Sequence, residues 1–225
     1  MNLQSIMNQF TSSSTNTQDN KGLTDKLGQM RNMIPGGLAG GAMAGGVMAL
    51  LIGNKSARKF AGTAATYGGA ALLGGMAYKA FKNWQQDKHN KPPLTEDNFT
   101  SAEMMSADYQ LSLIKAMIAA AQADGHIDTA EQQRIFDAIK QMDASTELKA
   151  EIFDLLQRPI RIHEFTLGAT SLEQKTELYL VSCLVCNLDN LAEKSHLTEL
   201  AGVLNLPPDL IQHLQQQAQQ TLANA

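Results

Sequence analysis

Residues 119–135 have the sequence AAAQADGHIDTAEQQRI, and this stretch decides the fold of the C-terminal half of the chain. An Asp-Gly pair such as Asp124-Gly125 is a common helix terminator, because glycine adopts the left-handed backbone conformation found after helix ends. Asp128 followed three residues later by Glu131 matches the capping box that begins a helix. The stretch therefore predicts one helix ending near Asp124, a short turn, and a second helix beginning at Asp128.

Apolar side chains recur at steps of three and four on both sides of this turn, which is the spacing of one face of a helix. Few residues favour strands, since aromatic residues make up only 5% of the chain. We therefore expect an all-α domain over residues 101–225. Its six helices are expected from Glu103 to the Asp124 turn, from Asp128 to Met142, over 146–157, from Thr170 to Leu188, from Asn190 to Leu204, and from Pro207 onward.

The two halves of this domain match each other at an offset of 62 residues. Asp128 corresponds to Asn190 and Glu131 to Glu193, while the matched core positions include Ile118 with Leu180, Met142 with Leu204, and Ile152 with Leu214. Each half alone would leave an apolar face exposed to water. The offset therefore predicts a pseudo-two-fold helical bundle in which the halves cover each other.

The N-terminal part contains two runs without charged residues. No charge occurs over residues 32–54, a run of 23 residues centred on Ile34 to Gly53. Because a membrane helix needs about 20 apolar residues, this run is long enough to span a bilayer. Its glycines allow helices to approach closely in lipid and so favour a homo-oligomer. A flexible Gly-rich linker is the alternative. The second run, Phe60 to Tyr78, either forms a second span or packs on the first at the membrane surface.

These features divide the chain into a disordered, basic segment over 1–31, a Gly/Ala-rich membrane segment over 32–82, a basic linker over 83–100, and the helical domain. Trp84 and the lysines around it are typical of a membrane interface. Residues 1–94 carry ten Lys or Arg and three Asp, whereas residues 95–225 carry eight Lys or Arg and nineteen Asp or Glu. The basic part suits an anionic lipid surface, and the acidic part argues against nucleic acid.

The chain resembles two known groups of proteins. Ala119 to Ile135, with small residues, an Asp-Gly turn and an acidic helix start, is similar to the motif of TerB-like helical domains. The whole layout resembles the YebE family of bacterial inner-membrane proteins, because a Gly-rich segment leads through NKSARK, residues 54–59, to a helical domain. This resemblance implies an inner-membrane location. It also implies a link to stress systems and, for Asp124, Asp128 and Glu131, metal binding. Cys186-Asn187 departs from the motif in the second half.

The candidate metal ligands are Asp124, Asp128 and Glu131, near His126. Clustered carboxylates suit a divalent cation such as Ca²⁺ or Mg²⁺, which prefers oxygen ligands. The loop does not match an EF-hand, because the third and twelfth positions counted from Asp124 are His126 and Ile135. The alternative is structural: Asp128 and Glu131 cap a helix, and Asp124 lies in a turn.

No other motif indicates catalysis or a cofactor. Cys183 and Cys186 form a CxxC pattern, but they lie late in an apolar helix, where we expect buried thiols. No phosphate-binding loop, nucleophilic serine motif or HExxH is present. We therefore expect a non-enzymatic inner-membrane adaptor that binds a protein partner. If the second run also spans, basic residues place the helical domain in the cytoplasm. The alternative function is a sensor of divalent metal ions.

Overall fold

The computed structural model describes residues 69–86, 95–99, 101, 103–104, 106–125, 133, 145–186 and 189–224. Within these ranges every regular element is a helix, so the expected all-α fold is confirmed. The elements are α1 (Gly69–Gln86), a 3₁₀ turn (Glu96–Phe99), α2 (Ala107–Ala121), α3 (Thr146–Leu156), α4 (His163–Thr166), α5 (Leu172–Val185), α6 (Leu191–Leu204) and α7 (Pro208–Ala223).

Four helices begin at residues whose side chains accept a hydrogen bond from the first turn. Ser106, Ser145 and Asn190 cap α2, α3 and α6 in this way. Ser171 and Gln174 form a complete capping box at the start of α5. Each such cap stabilises its helix by about 1 kcal/mol, because it satisfies a backbone N–H that has no partner within the helix. Local sequence therefore sets these starting points.

Helix α5 is the centre of the bundle. Its residues are buried almost without interruption from Gln174 to Leu184, so no face of the helix is left for solvent. Helices α1, α2, α6 and α7 all pack against it, and α7 also packs against α1. A helix that is apolar around its whole circumference must be covered on every side. The segment LYLVSCLV, residues 178–185, must therefore be surrounded by neighbouring helices.

Helix α1 covers the side of α5 that would otherwise be exposed. It buries six apolar side chains, and the rings of Phe81 and Trp84 lie 5.1 Å apart at a tilted angle. Gly74 allows the close approach of the 3₁₀ turn, because a Cβ atom there would lie only 2.6 Å from the backbone oxygen of Phe99. The buried apolar side chains of α1 are Leu73, Met76, Ala77, Ala80, Phe81 and Trp84.

This position of α1 corrects two expectations. Residues 72–78 of the second uncharged run contribute to the bundle core rather than to a membrane segment. Trp84, expected at a membrane interface, is only 1% exposed and lies in the same core. Small and apolar residues pack on protein as readily as on lipid, and the run alone does not distinguish the two. The bundle thus includes residues assigned above to the membrane segment (32–82) and the linker (83–100).

The membrane helix itself was expected at Ile34 to Gly53, and this run lies outside the described residues. Among the helices that the structure describes, none combines the length and the apolarity needed to cross a bilayer.

Most expected helices of the C-terminal domain are present, and the expected core positions Ile152, Leu204 and Leu214 are buried in α3, α6 and α7. The expected helix that starts at Asp128 lies outside the described residues. The structure differs from the predicted helices at α2 and α4. Helix α2 buries Leu113, Ile114 and Met117 in addition to the matched core position Ile118, because it faces both α5 and α4. The short helix α4 occupies what was expected to be a loop.

The internal offset also differs along the chain. Helices α3 and α7 begin 62 residues apart, at Thr146 and Pro208, as the sequence match requires. The C-caps of α2 and α5 are Gln122 and Cys186, which lie 64 residues apart. The pseudo-two-fold relationship of the complete halves stays a prediction, since one of its helices is outside the described residues.

Replacing Gly74 tests the close approach of α1 to the 3₁₀ turn. Gly74→Ala should lower the free energy of unfolding by about 1–3 kcal/mol, because the new Cβ meets a backbone atom that cannot move aside cheaply. The adjacent Gly75→Ala is the matched control, since no atom lies within 4 Å of a Cβ at that position. The control should gain up to about 1 kcal/mol from helix propensity. Urea unfolding followed by circular dichroism measures both. Equal effects of the two substitutions would contradict this packing.

Candidate functional site

A groove between α6 and α7 is lined by both apolar and polar side chains. Its volume is about 310 Å³, and its floor is Tyr179 of α5. This volume suits one or two inserted side chains rather than a large cofactor. The lining residues are Tyr179, Thr198, Ala201, Gly202, Asn205, Leu206, Ile211 and Gln215.

One polar contact fixes the floor of this groove. The Gln215 side-chain amide donates a hydrogen bond of 2.9 Å to the Tyr179 hydroxyl. Burial is the main cause that raises the pKa of Tyr179, and the nearby Cys183 adds to it, so the hydroxyl stays neutral. The bond links α5 to α7 and holds both groups at the groove surface.

The end of the groove is shaped by the turn between α6 and α7. Asn205 has a φ of 51°, a left-handed conformation that ends α6, and its N–H donates to the carbonyl oxygens of Ala201 and Gly202. Asparagine tolerates this conformation better than most residues. Pro207 and Pro208 follow and begin α7, since proline suits the first turn of a helix. The turn therefore keeps the two helices at a fixed separation.

The side of the groove formed by α6 has free space at Gly202. A Cβ atom at Gly202 would have no neighbour within 4 Å, and Val203 beside it is partly exposed. Leu191, on the same helix, is 82% exposed, which is unusual for a large apolar side chain. Residues 189–224 contain four acidic residues and one lysine. The groove is thus an apolar slot with amide and hydroxyl groups in its lining, within a segment that is acidic in composition.

The structure describes only part of the expected metal site. Asp124 lies in the turn after α2, and its Oδ2 accepts a long hydrogen bond of 3.5 Å from the side-chain amide of Asn190. Asp128, Glu131 and the nearby His126 lie outside the described residues. In the described part of the chain, no three His, Cys, Asp or Glu side chains are grouped to hold a metal ion. Metal binding by these three carboxylates stays a prediction.

The two cysteines lie where the sequence predicted, in the core and without a disulfide. Burial raises the pKa of Cys183 to about 12, and Tyr179 partly offsets this effect. Burial also raises the pKa of Cys186, and the negative charge of Glu193 adds to it. Both thiols are therefore protonated at neutral pH, whereas redox chemistry requires the thiolate. Their role in the described fold is to fill the core around α5.

A buried carboxyl group that sequence reasoning missed lies on α5. Glu177 is 2% exposed, and its Oε2 accepts a hydrogen bond of 3.1 Å from the Tyr109 hydroxyl of α2. The same hydroxyl lies 3.0 Å from the backbone oxygen of Gln174. The Glu177 Oε1 is buried without a hydrogen-bond partner. The sequence contained one indication of this burial, because the apolar residues around Glu177 leave its helix no side that faces solvent.

Burial controls the protonation of this pair. It raises the pKa of Glu177 to about 8, and the hydrogen bond from Tyr109 offsets part of that rise. Burial likewise raises the pKa of Tyr109, with the charge of Glu177 as the next cause. An isolated ion would be costly in such surroundings. Glu177 is therefore a neutral acid at pH 7.

Comparison with known proteins gives a family match over most of the chain. A family described as "Protein of unknown function (DUF533)" matches residues 37–218, a range that begins in the first uncharged run and ends in α7. An "Uncharacterized protein in ampR 5'region" from Yersinia enterocolitica is 25% identical over 104 residues, which are 46% of this chain and 75% of that protein. No solved structure matches. Neither match carries the YebE or TerB-like name, so those resemblances stay predictions.

Proposed function

The chain belongs to the DUF533 family, and we propose that it is a non-enzymatic adaptor, tethered to the bacterial inner membrane, whose helical bundle binds a protein partner. The observation that carries the proposal is the groove between α6 and α7, because it offers an apolar slot with hydrogen-bonding groups at its floor. Its lining contains no charged side chain and no cysteine, which suits recognition better than chemistry.

The tether is a single run of sequence in this proposal. Since α1 begins at Gly69, only 60–68 remain of the second uncharged run, and these nine residues are far fewer than the about 20 that a span requires. Ile34 to Gly53 is then the one segment with enough length. This favours one membrane segment over a helical hairpin.

With a single membrane span, the distribution of basic residues no longer predicts which side of the membrane the bundle faces. Three basic residues lie near each flank of Ile34 to Gly53, namely Lys21, Lys26 and Arg31 before it and Lys55, Arg58 and Lys59 after it. The excess of basic residues that places loops in the cytoplasm is therefore absent. The expected cytoplasmic position of the bundle depended on two spans, and the charge rule no longer supports it.

The partner that fits the groove best is a basic amphipathic helix. An apolar side chain of such a helix would enter the slot beside Ala201 and Gly202, where space is open. Its Lys or Arg residues would suit the segment that contains both walls of the groove, because residues 189–224 carry four acidic residues and one lysine. Complementary charge increases the association rate and helps to exclude other partners. An amphipathic helix in a groove is a common mode of recognition.

Membrane fractionation tests the tether. The full chain, expressed in bacteria, should remain in the membrane fraction after a high-salt wash, because a span is held by apolar contacts that salt does not weaken. A variant lacking residues 34–53 should move to the soluble fraction. A variant lacking residues 1–20 is the control and should stay with the membrane. Release of the full chain by salt, or retention of the variant without 34–53, would refute the tether.

A designed peptide tests the groove. The probe is a fluorescein-labelled peptide of about sixteen residues, composed of Lys and Leu at helical spacing. It should bind the bundle, whereas a matching Glu and Leu peptide should not. Gly202→Trp fills the open wall and should weaken binding by at least about tenfold. Gly168→Trp is the matched control, since a Cβ there also meets nothing within 4 Å. Equal binding by the two variants would mean that the peptide does not use the groove.

A further inference from the structure

We propose that Glu177 is a proton-operated latch that holds α1 on the bundle while its carboxyl group is neutral and weakens that hold when the proton is lost. Helix α1 contains the end of the second uncharged run and follows the first run along the chain. The latch would therefore make the connection between those runs and the bundle sensitive to pH. It depends on the bundle alone and is independent of any partner in the groove.

The carboxyl group lies where three helices and the 3₁₀ turn meet. On one side, the Tyr109 hydroxyl of α2 donates to Oε2. On the other side, the unpartnered Oε1 faces α1, since a Cβ at Gly74 would lie 3.2 Å from it and 2.6 Å from the backbone oxygen of Phe99. Because Gly74 has no side chain, the α1 backbone can lie close to Glu177 and to the Phe99 backbone oxygen. The side of Glu177 that lacks a partner is thus the side that α1 covers.

The surroundings suit a neutral acid and not a carboxylate. Helix α2 provides one donor, Tyr109, and the 3₁₀ turn provides a carbonyl oxygen at Phe99, which carries partial negative charge. Helix α1 presents the backbone at Gly74, and its Lys79 and Lys82 are exposed. Burial and the Tyr109 hydrogen bond are the causes acting on the pKa of Glu177, so no charged group of α1, α6 or α7 compensates an ionised form.

Ionisation must therefore favour a state in which water reaches Oε1. Movement of α1 away from α5 provides that access, because α1 covers this oxygen. The same movement exposes Leu73, Phe81 and Trp84, so the open state is rare at every pH. The proton changes how often α1 opens and leaves the average structure unchanged.

The direction of the pH effect follows from the two pKa values. In the open state the pKa of Glu177 returns towards its ordinary value of 4.5, while in the closed state it is about 8. The closed state therefore holds one proton more between these values, and its stability falls as pH rises through this window. The opening equilibrium should increase by up to about tenfold per pH unit and become constant above about pH 8.

Hydrogen exchange of the full chain, measured by mass spectrometry from about pH 6 to about pH 9, tests the latch. After correction for intrinsic exchange, opening of peptides from α1 should rise with pH and then level off, while peptides from α6 stay unchanged. In Glu177→Gln, a neutral side chain of the same shape, α1 should open independently of pH. Glu173→Gln on the same helix is the control and should retain the wild-type dependence.

A second variant keeps the test decisive if Glu177→Gln does not fold. Tyr109→Phe removes the hydrogen bond that lowers the pKa of Glu177, so the levelling of α1 exchange should move to higher pH. An unchanged levelling point in Tyr109→Phe would overturn the latch. So would a pH dependence that persists in Glu177→Gln, or one that is equal in α1 and α6 of the wild type.

Discussion

The burial of α5 from Gln174 to Leu184 is the constraint on which the rest of the bundle depends. With no side left for water, this helix must be enclosed by α1, α2, α6 and α7. Two features follow from that enclosure. Glu177 becomes a neutral acid because it has no route to solvent, and Tyr179 forms the floor of a groove because α6 and α7 cross over it. The candidate sites are therefore consequences of how one helix is covered.

Capping and periodicity made the C-terminal part of the fold predictable. Ser171 and Asn190 mark helix starts through chemistry that acts within one turn, and no tertiary contact is needed to recognise them. The inward faces of α3 and α6 follow from spacing alone, because each of these helices has one buried side. The fully buried α5 was harder: its helical state was predicted, but a helix buried all round has no periodic face that identifies its neighbours.

Helix α1 and Glu177 show what the sequence could not reveal. The residues of α1 are small and apolar, and lipid and a protein core select for the same kinds of residue. Only the positions of α5 and α7 show that this helix has a protein surface to cover. Glu177 resembles any helical glutamate until the elements around it are placed. Asp128 and Glu131 lie outside the described residues, so the expected metal site is neither supported nor opposed by the fold.

The central claim is that α1 belongs to the bundle, and Trp84 reports on it directly because it is the one tryptophan in the chain. It is 1% exposed in the core beside Phe81. The measurement is quenching of its fluorescence in the full chain reconstituted into vesicles, with acrylamide in the water or brominated acyl chains in the lipid. Burial in the bundle predicts a blue-shifted emission that neither quencher reduces strongly until urea unfolds the protein. Strong quenching by brominated lipid in the folded protein would place Trp84 in the membrane and contradict the account.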